Sequence, residues 1–466
     1  MKQIAAGFEA GLILRHAGTV WIGQVAIMGF GVADTMIAGR HSDEALAALS
    51  IGAAVYISIY VALTGVLQAQ LPVWSELRGA GKLHALGASV RQSVYICLLL
   101  LVVGLPAMLM PQSLLRWTQV PTDLQPMVTD YLAIQALGLV PSLLFRIYST
   151  LNQALGKPRL VTGIQLGALA IKIPLSIWFA LGGLGLPPGG AVGCAWATVL
   201  VNVAMVGLGA WLLRTQSLYA PYAIWKGLER PDWHQLRVFL RLGVPNGLTI
   251  MIEVTSFTLI SLFVARLGVQ AAASQQVAAN LAAVMYMMPL ALGLACSARV
   301  SFWRGAADEI RARAALTTGL SITASLAVLV AGLCWLLRLQ IAQLYTNNPE
   351  LAAVTAALLT WVALYHPADA IQAVSIFALR SYRITVAPLL IYTVLLWGIG
   401  LGGGYLLCYH GLPGISAMNT PAAFWIAGAF GLMLTAVLFV ALLWWAVKQV
   451  KPAPGQEHRA GVPLQS

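Results

Sequence analysis

Long apolar stretches separated by short polar segments run along the whole chain. Six of them lie in the first half, and six more follow a polar segment between Arg214 and Arg241. Each is about 20 residues long, which is the length that an α-helix needs to cross a hydrocarbon layer of roughly 30 Å. The predicted membrane-spanning helices cover residues 12–38, 51–73, 91–110, 131–151, 160–182, 191–213, 243–266, 276–300, 314–337, 354–377, 386–408 and 422–447. The pattern predicts an all-α integral membrane protein.

The composition supports this class and disfavours others. Of the 466 residues, 59% are hydrophobic and 9% are charged, whereas soluble proteins carry about 25% charged residues. The net charge is +12, but the lysines and arginines lie in short segments between apolar stretches and do not form one basic face. We therefore predict no nucleic-acid binding. The five cysteines are far apart inside apolar stretches, so we predict packing roles for them.

The distribution of basic residues predicts an orientation. Of the 27 Lys and Arg residues, 22 lie at the termini, in even-numbered connections or at the span ends beside them, and four lie on the odd-numbered side. Because basic residues concentrate on the cytoplasmic side of membrane proteins, both termini are predicted to be cytoplasmic. The expected location is the bacterial inner membrane.

Short motifs repeat at an offset of about 226 residues. Arg78-Gly79-Ala80 follows the second predicted helix, and Arg304-Gly305-Ala306 follows the eighth. A repeat of six helices predicts two bundles in the same orientation, as in transporters that work by alternating access. The predicted division is an N-lobe over residues 1–213, a cytoplasmic interlobe linker over 214–241, a C-lobe over 242–450 and a flexible cytoplasmic tail over 451–466.

Three acidic residues, Asp34, Glu253 and Asp369, lie inside predicted spans. An ionised carboxylate in the middle of a membrane costs about 2.5–3.5 kcal/mol on insertion scales. Such residues therefore face protein or water and usually bind ions or protons. We predict that these three residues bind ions or protons; the alternative is that they make structural contacts between helices.

The second half has further polar side chains at helical spacing. Tyr365, Asp369 and Gln372 follow i, i+4, i+7 spacing and share one helical face, and Gln276 and Asn280 share another. Because two carboxylates in one bundle need a counter-cation or a shared proton, the pattern predicts a cation site. The alternative is a set of unrelated interhelical hydrogen bonds, each worth roughly 0.6–2 kcal/mol.

The first half differs because a basic residue accompanies its acid. Gln165, Lys172 and Ser176 share one face of the fifth predicted helix, and Lys172 is the lysine in the middle of a predicted span. A buried lysine without a partner would lose its proton or resist insertion. We therefore predict an Asp34–Lys172 pair, which is either a fixed structural tie or a proton-labile switch.

An ordered set of motifs resembles the multidrug and toxic compound extrusion (MATE) family, in particular its NorM-like branch. The first is Gly31-Val32-Ala33-Asp34-Thr35-Met36-Ile37-Ala38-Gly39. Those that follow are Arg241-Leu242-Gly243-Val244-Pro245, Glu253-Val254-Thr255, Gln276-Val277-Ala278-Ala279-Asn280, Leu344-Tyr345-Thr346-Asn347-Asn348-Pro349 and residues 365–372. The resemblance implies two six-helix lobes in a V-shape, and export of amphipathic organic cations coupled to inward Na⁺ or H⁺.

The resemblance also implies roles for residues. Glu253 and Asp369 would bind the coupling cation, with transient Na⁺ as a candidate, and Asp34 would be the acid that proton-coupled relatives use. The neighbours of the cation site would be Tyr365, Asn280 and Gln276. The branch usually has asparagine where this chain has Lys172 and Ser176. It also usually has a glycine and an acidic residue where this chain has Arg380-Ser381-Tyr382-Arg383-Ile384, so a changed loop is expected there.

Other functions fit the sequence less well. No set of residues typical of a membrane enzyme appears, so we predict no enzymatic activity and no cofactor beyond the coupling ion. The expected partners are the lipid bilayer and small cationic drugs, and the expected state is a monomer. The alternative function is a flippase for a lipid-linked precursor in the same superfamily. Such a flippase would need basic residues along its transport path, and Lys172 is the candidate in the middle of a span.

Overall fold

The computed structural model describes residues 2–112, 115, 120–183, 185–411 and 413–450, and the side chains of these from residue 7 onward. Within this part, twelve helices are long and apolar enough to span a membrane, which confirms the predicted class. The predicted tail over 451–466 lies outside the described residues. The α-helices are α1 (Lys2–His41), α2 (Asp43–Gln68), α3 (Leu71–Gly79), α4 (Leu83–Leu109), α5 (Gln125–Ala154), α6 (Pro158–Leu181), α7 (Gly190–Thr215), α8 (Trp233–Ala265), α9 (Val269–Gly305), α10 (Glu309–Leu336), α11 (Arg338–Tyr345), α12 (Pro349–Ser381), α13 (Val386–Tyr392), α14 (Gly404–Tyr409) and α15 (Ala422–Gln449).

Local sequence signals explain several helix ends. The Ser42 side chain accepts a hydrogen bond from the Ala45 amide at 3.0 Å and caps α2. Pro72 cannot donate a backbone hydrogen bond, and the predicted span 51–73 is accordingly divided into α2 and α3. The predicted span 386–408 is also irregular, because a π-helix over Thr393–Gly403 joins α13 to α14.

The residues form two compact units. The N-terminal unit contains residues 19–74 and 83–251, and the C-terminal unit contains the described residues of 2–18, 75–82 and 252–450. In the N-terminal unit α5 packs against α2, α4 and α7, while in the C-terminal unit α12 packs against α9, α10 and α15. These central helices are the fourth and tenth spans, so they occupy equivalent positions in the predicted six-helix repeat. The predicted lobes, with a linker over 214–241, stay a prediction.

Ion pairs attach the two outlying segments to the C-terminal unit. Glu9 on α1 accepts two hydrogen bonds from the Arg299 guanidinium, at 2.9 and 2.5 Å, and a third from the Trp303 indole at 2.9 Å. Glu76 on α3 accepts a hydrogen bond from Arg383 at 2.6 Å. A two-pronged arginine–carboxylate contact fixes geometry better than a single contact, so Glu9 firmly anchors the first turns of α1.

The two repeated motifs pack against each other in the C-terminal unit. A Cβ atom on Gly79 would lie 1.9 Å from the Phe302 carbonyl oxygen, and one on Gly305 would lie 1.9 Å from the Glu76 carbonyl oxygen. Glu76 lies three residues before Gly79, and Phe302 lies three residues before Gly305. The contact is therefore reciprocal, and each half of it requires a residue without a side chain.

Candidate cation sites in the two units

The N-terminal unit contains a buried lysine surrounded by oxygen atoms. The Lys172 ammonium on α6 lies 2.8 Å from Asp34 Oδ1, 2.8 Å from Thr198 Oγ1 and 3.3 Å from Ser176 Oγ. Lys172 is completely buried, and its Nζ lies 5.7 Å from the centre of the Phe30 ring. An ammonium has three hydrogen-bond donors, so these three oxygens satisfy it fully.

The same cluster holds the acid in place. Ser176 Oγ donates to Asp34 Oδ1 at 3.0 Å, so this carboxylate has both a counter-ion and a neutral donor. The structure thus brings together Asp34, Lys172 and Ser176, which the sequence placed in one group. Gln165 lies elsewhere on α6, against Gly23 of α1. The role of the cluster in transport stays a prediction.

The C-terminal unit contains the other two acids. Asp369 on α12 is buried, and the Gln372 side chain donates to its Oδ1 at 3.3 Å. Glu253 on α8 is half-buried and lies near Tyr392 of α13, and it is close enough to Asp369 for their charges to interact. Two acids, an amide and a phenol therefore form one cluster, which we call the carboxylate cluster.

Aromatic residues surround the carboxylate cluster. Tyr365 is buried one helical turn before Asp369 and makes an edge-on contact with Trp425, at 5.3 Å between ring centres. Tyr286 on α9 also lies within electrostatic range of both acids. Hydroxyl, amide and carboxylate oxygens are the ligands that hard cations prefer. The cluster can therefore hold a small cation or a proton.

The sequence did not predict one member of this neighbourhood. Arg380 is buried near the end of α12, its guanidinium lies 4.2 Å from the centre of the Phe377 ring, and its charge acts on Glu253. The predicted span ends at residue 377, which left Arg380 in a loop, but the helix continues to Ser381. The signal that could have found it is its spacing: Arg380 lies eleven residues after Asp369, three helical turns along one face.

Gln276 and Asn280 form a hydrogen-bonded pair on α9. They are exposed on α9, where the Gln276 amide donates to the Asn280 side-chain oxygen at 3.3 Å. The adjacent residue Gln275 is the buried one, and it accepts a hydrogen bond from Trp425 at 2.8 Å. Roles for Gln276 and Asn280 as cation-site neighbours stay predictions.

The chain is similar to known transporters along most of its length. The MatE family model matches residues 20–178 and 245–406. The "Probable multidrug resistance protein NorM" of Aromatoleum aromaticum is 39% identical and is matched over 93% of this chain and 94% of that protein. The "Multidrug resistance protein MdtK" of Photorhabdus laumondii is 30% identical, over 95% of this chain and 96% of that protein.

The fold is also that of a solved structure. The crystal structure of the eukaryotic MATE transporter AtDTX14 superposes with a TM-score of 0.83, at 17% sequence identity, over 96% of this chain and 98% of that one. At this identity the likeness shows the fold alone. With the family model matching both halves and relatives matched nearly end to end, the chain belongs to the multidrug and toxic compound extrusion family of membrane transporters.

Proposed function

We propose that this chain is a secondary active antiporter, which exports amphipathic organic cations from the cytoplasm in exchange for inward Na⁺ or H⁺. The observation that carries the proposal is the carboxylate cluster, with two acids close together inside membrane-spanning helices. The names of the relatives, which are multidrug resistance proteins, support the substrate class. We place the protein in the bacterial inner membrane with cytoplasmic termini, because of its basic-residue distribution. We also propose that it acts as a monomer.

In this proposal Glu253 and Asp369 couple the two transport steps. A Na⁺ ion or proton that enters from outside neutralises the pair and lowers its affinity for a bound organic cation, which then leaves outward. After the change to the inward state, the ion escapes down its gradient, and the ionised pair attracts the next organic cation. The coupling requires that each ligand bind the two states with different affinity.

Asp34 has a different role in this proposal. Its counter-ion is Lys172, whose three donors are all engaged within the protein. We assign the Asp34–Lys172 pair as a fixed structural tie, which leaves the coupling to the C-terminal unit. The same engagement disfavours the flippase, because Lys172 offers no free donor to an anionic lipid.

The test is efflux of ethidium from cells that express the chain, with Na⁺ concentration and pH varied independently. We expect efflux to depend on one of these two ions. Glu253→Gln and Asp369→Asn each remove the charge that binds the cation, so each should lower the initial efflux rate at least about tenfold, a loss of roughly 1.4 kcal/mol. The matched control is Asp130→Asn, which changes an exposed acid on α5 and should keep the rate.

Membrane abundance and melting temperature of each variant separate loss of transport from loss of folding. If wild type transports no organic cation, or if well-folded Glu253→Gln and Asp369→Asn variants transport as wild type does, the antiporter proposal is wrong. Transport of a lipid-linked precursor would then become the function to test.

A further inference from the structure

A large groove lies in the N-terminal unit between α4 and the first turns of α8. Its volume is about 1180 Å³, which exceeds the roughly 300–1,000 Å³ of typical small-molecule sites. On α4 the lining residues Tyr95, Leu98, Leu99 and Val102 follow i, i+3, i+4, i+7 spacing and form one helical face.

The wall that α4 provides is apolar and open. Leu98, Leu99 and Val102 are 52%, 46% and 70% exposed. At 1.5 Å per residue, the face from Tyr95 to Val102 is about 10 Å long and runs parallel to the axis of a membrane-spanning helix. Such a wall suits a hydrocarbon chain that lies along the helix.

The wall that α8 provides has a basic edge. His234, Arg237 and Arg241 line the groove at i, i+3, i+7 spacing, and all three are exposed. Trp233, which is 78% exposed, lies at the end of the helix beside them. Arginine binds phosphate oxygens through two parallel hydrogen bonds, and tryptophan and tyrosine favour the boundary between hydrocarbon and headgroups.

Hydrogen bonds hold the basic edge against α4. The Gln92 side chain donates to the Arg230 carbonyl and accepts from the Asp232 amide, both at 2.9 Å. The Tyr95 hydroxyl donates to the Glu229 carbonyl at 2.7 Å, and Arg91 forms a 2.5 Å ion pair with the Glu229 carboxylate. The residues before α8 are thus tied to α4 at several points. Because the groove is already formed, a ligand does not have to order these residues when it binds, and its affinity is higher for that reason.

We propose that this groove binds an anionic phospholipid. The phosphate lies between Arg237 and Arg241, and an acyl chain lies along Leu98, Leu99 and Val102. Charge complementarity selects the headgroup, because basic pockets between membrane helices bind anionic lipids. The predicted orientation places the site in the cytoplasmic leaflet. The inference does not depend on the transport proposal.

The test is lipid binding to the purified full-length chain in a neutral detergent, measured by native mass spectrometry. Phosphatidylglycerol and phosphatidylcholine with identical acyl chains are offered together. We expect wild type to prefer phosphatidylglycerol. The preference should fall about fivefold for each arginine removed, once in Arg237→Gln and twice in Arg237→Gln/Arg241→Gln. The matched control is Arg159→Gln, an exposed arginine in the first turn of α6 outside the groove, and it should keep the preference.

Two further measurements distinguish binding of the whole lipid from binding of its headgroup alone. Leu99→Trp fills the apolar wall and should lower binding of both lipids, whereas glycerol 3-phosphate in millimolar excess should leave phosphatidylglycerol bound. The inference is overturned if the double arginine variant keeps its preference, if Arg159→Gln loses as much, or if glycerol 3-phosphate displaces the lipid. Melting temperatures establish that each variant is folded.

Discussion

At the scale of single residues, we expect the largest loss of stability when the Lys172 ammonium is removed. Lys172→Met would leave the Asp34 carboxylate buried without its counter-ion, and removing one partner of a buried pair costs about 3–5 kcal/mol. We expect a clear fall in the melting temperature of the purified protein in detergent. Asp34→Asn/Lys172→Met, which removes both charges, should recover most of it.

The control for this experiment is Lys157→Met, which changes an exposed lysine just before α6 and should leave the melting temperature close to that of wild type. If Lys172→Met is as stable as the double variant, the ion pair contributes nothing to folding, and the assignment of a structural tie fails.

Residue spacing predicted some neighbours of the acids and missed others. Lys172 and Ser176 could be predicted because they share a helical face four residues apart. Thr198 could not, because a hydroxyl in an apolar helix usually bonds its own backbone, and Thr198 does donate to the Cys194 carbonyl at 3.0 Å. The second contact of Thr198, with the Lys172 ammonium, forms because α7 packs against α6.

At the scale of helices, the number of spans was predictable and their limits were not. In hydrocarbon every backbone polar group must be bonded within its own helix, so each apolar stretch becomes one span. The backbone has no reason to stop where the apolar residues stop. Helix α8 accordingly begins at Trp233, whereas its apolar stretch begins at about 243, and α1 covers Lys2–His41 rather than 12–38.

The contact between α14 and α15 gives a prediction at this scale. A Cβ atom on Gly404 would lie 3.0 Å from Phe424 Cα and 2.7 Å from Phe424 Cδ1, whereas one on Gly398 would meet nothing within 4 Å. Gly404→Val should therefore lower the free energy of unfolding by about 1–3 kcal/mol through overpacking. Gly398→Val is the matched control and should cost much less. Melting temperatures in detergent compare the two; equal losses would mean that the helices separate without cost.

At the scale of the whole molecule, the sequence repeat predicted that the two motifs occupy equivalent positions, but it did not predict that they contact each other. Similar motifs at a constant offset say that two segments fold alike. Contact between them depends on how the remaining helices pack, which no short motif encodes. The structure adds that Gly79 faces the Phe302 carbonyl while Gly305 faces the Glu76 carbonyl.

This reciprocal contact predicts a specific pattern of stability. Gly79→Ala and Gly305→Ala should lower the melting temperature by similar amounts, because each new Cβ meets a carbonyl oxygen at the same short distance. The double variant should lose less than the sum of the two, since one opening of the contact relieves both clashes. Gly332→Ala, at a glycine on α10 with nothing within 4 Å, is the control. Strictly additive losses would mean that the two halves of the contact are independent.

The same reciprocity has a consequence for ancestry. When residue i of one copy touches residue j of another, and j touches i in return, the contact is isologous, as in a symmetric homodimer. The Gly79–Phe302 and Gly305–Glu76 contacts have this form within a single chain. Two copies of one six-helix unit that carries this motif could therefore make the same contact across a dimer, without being joined into one chain. The contact is compatible with a six-helix ancestor that paired with a second copy of itself before fusion.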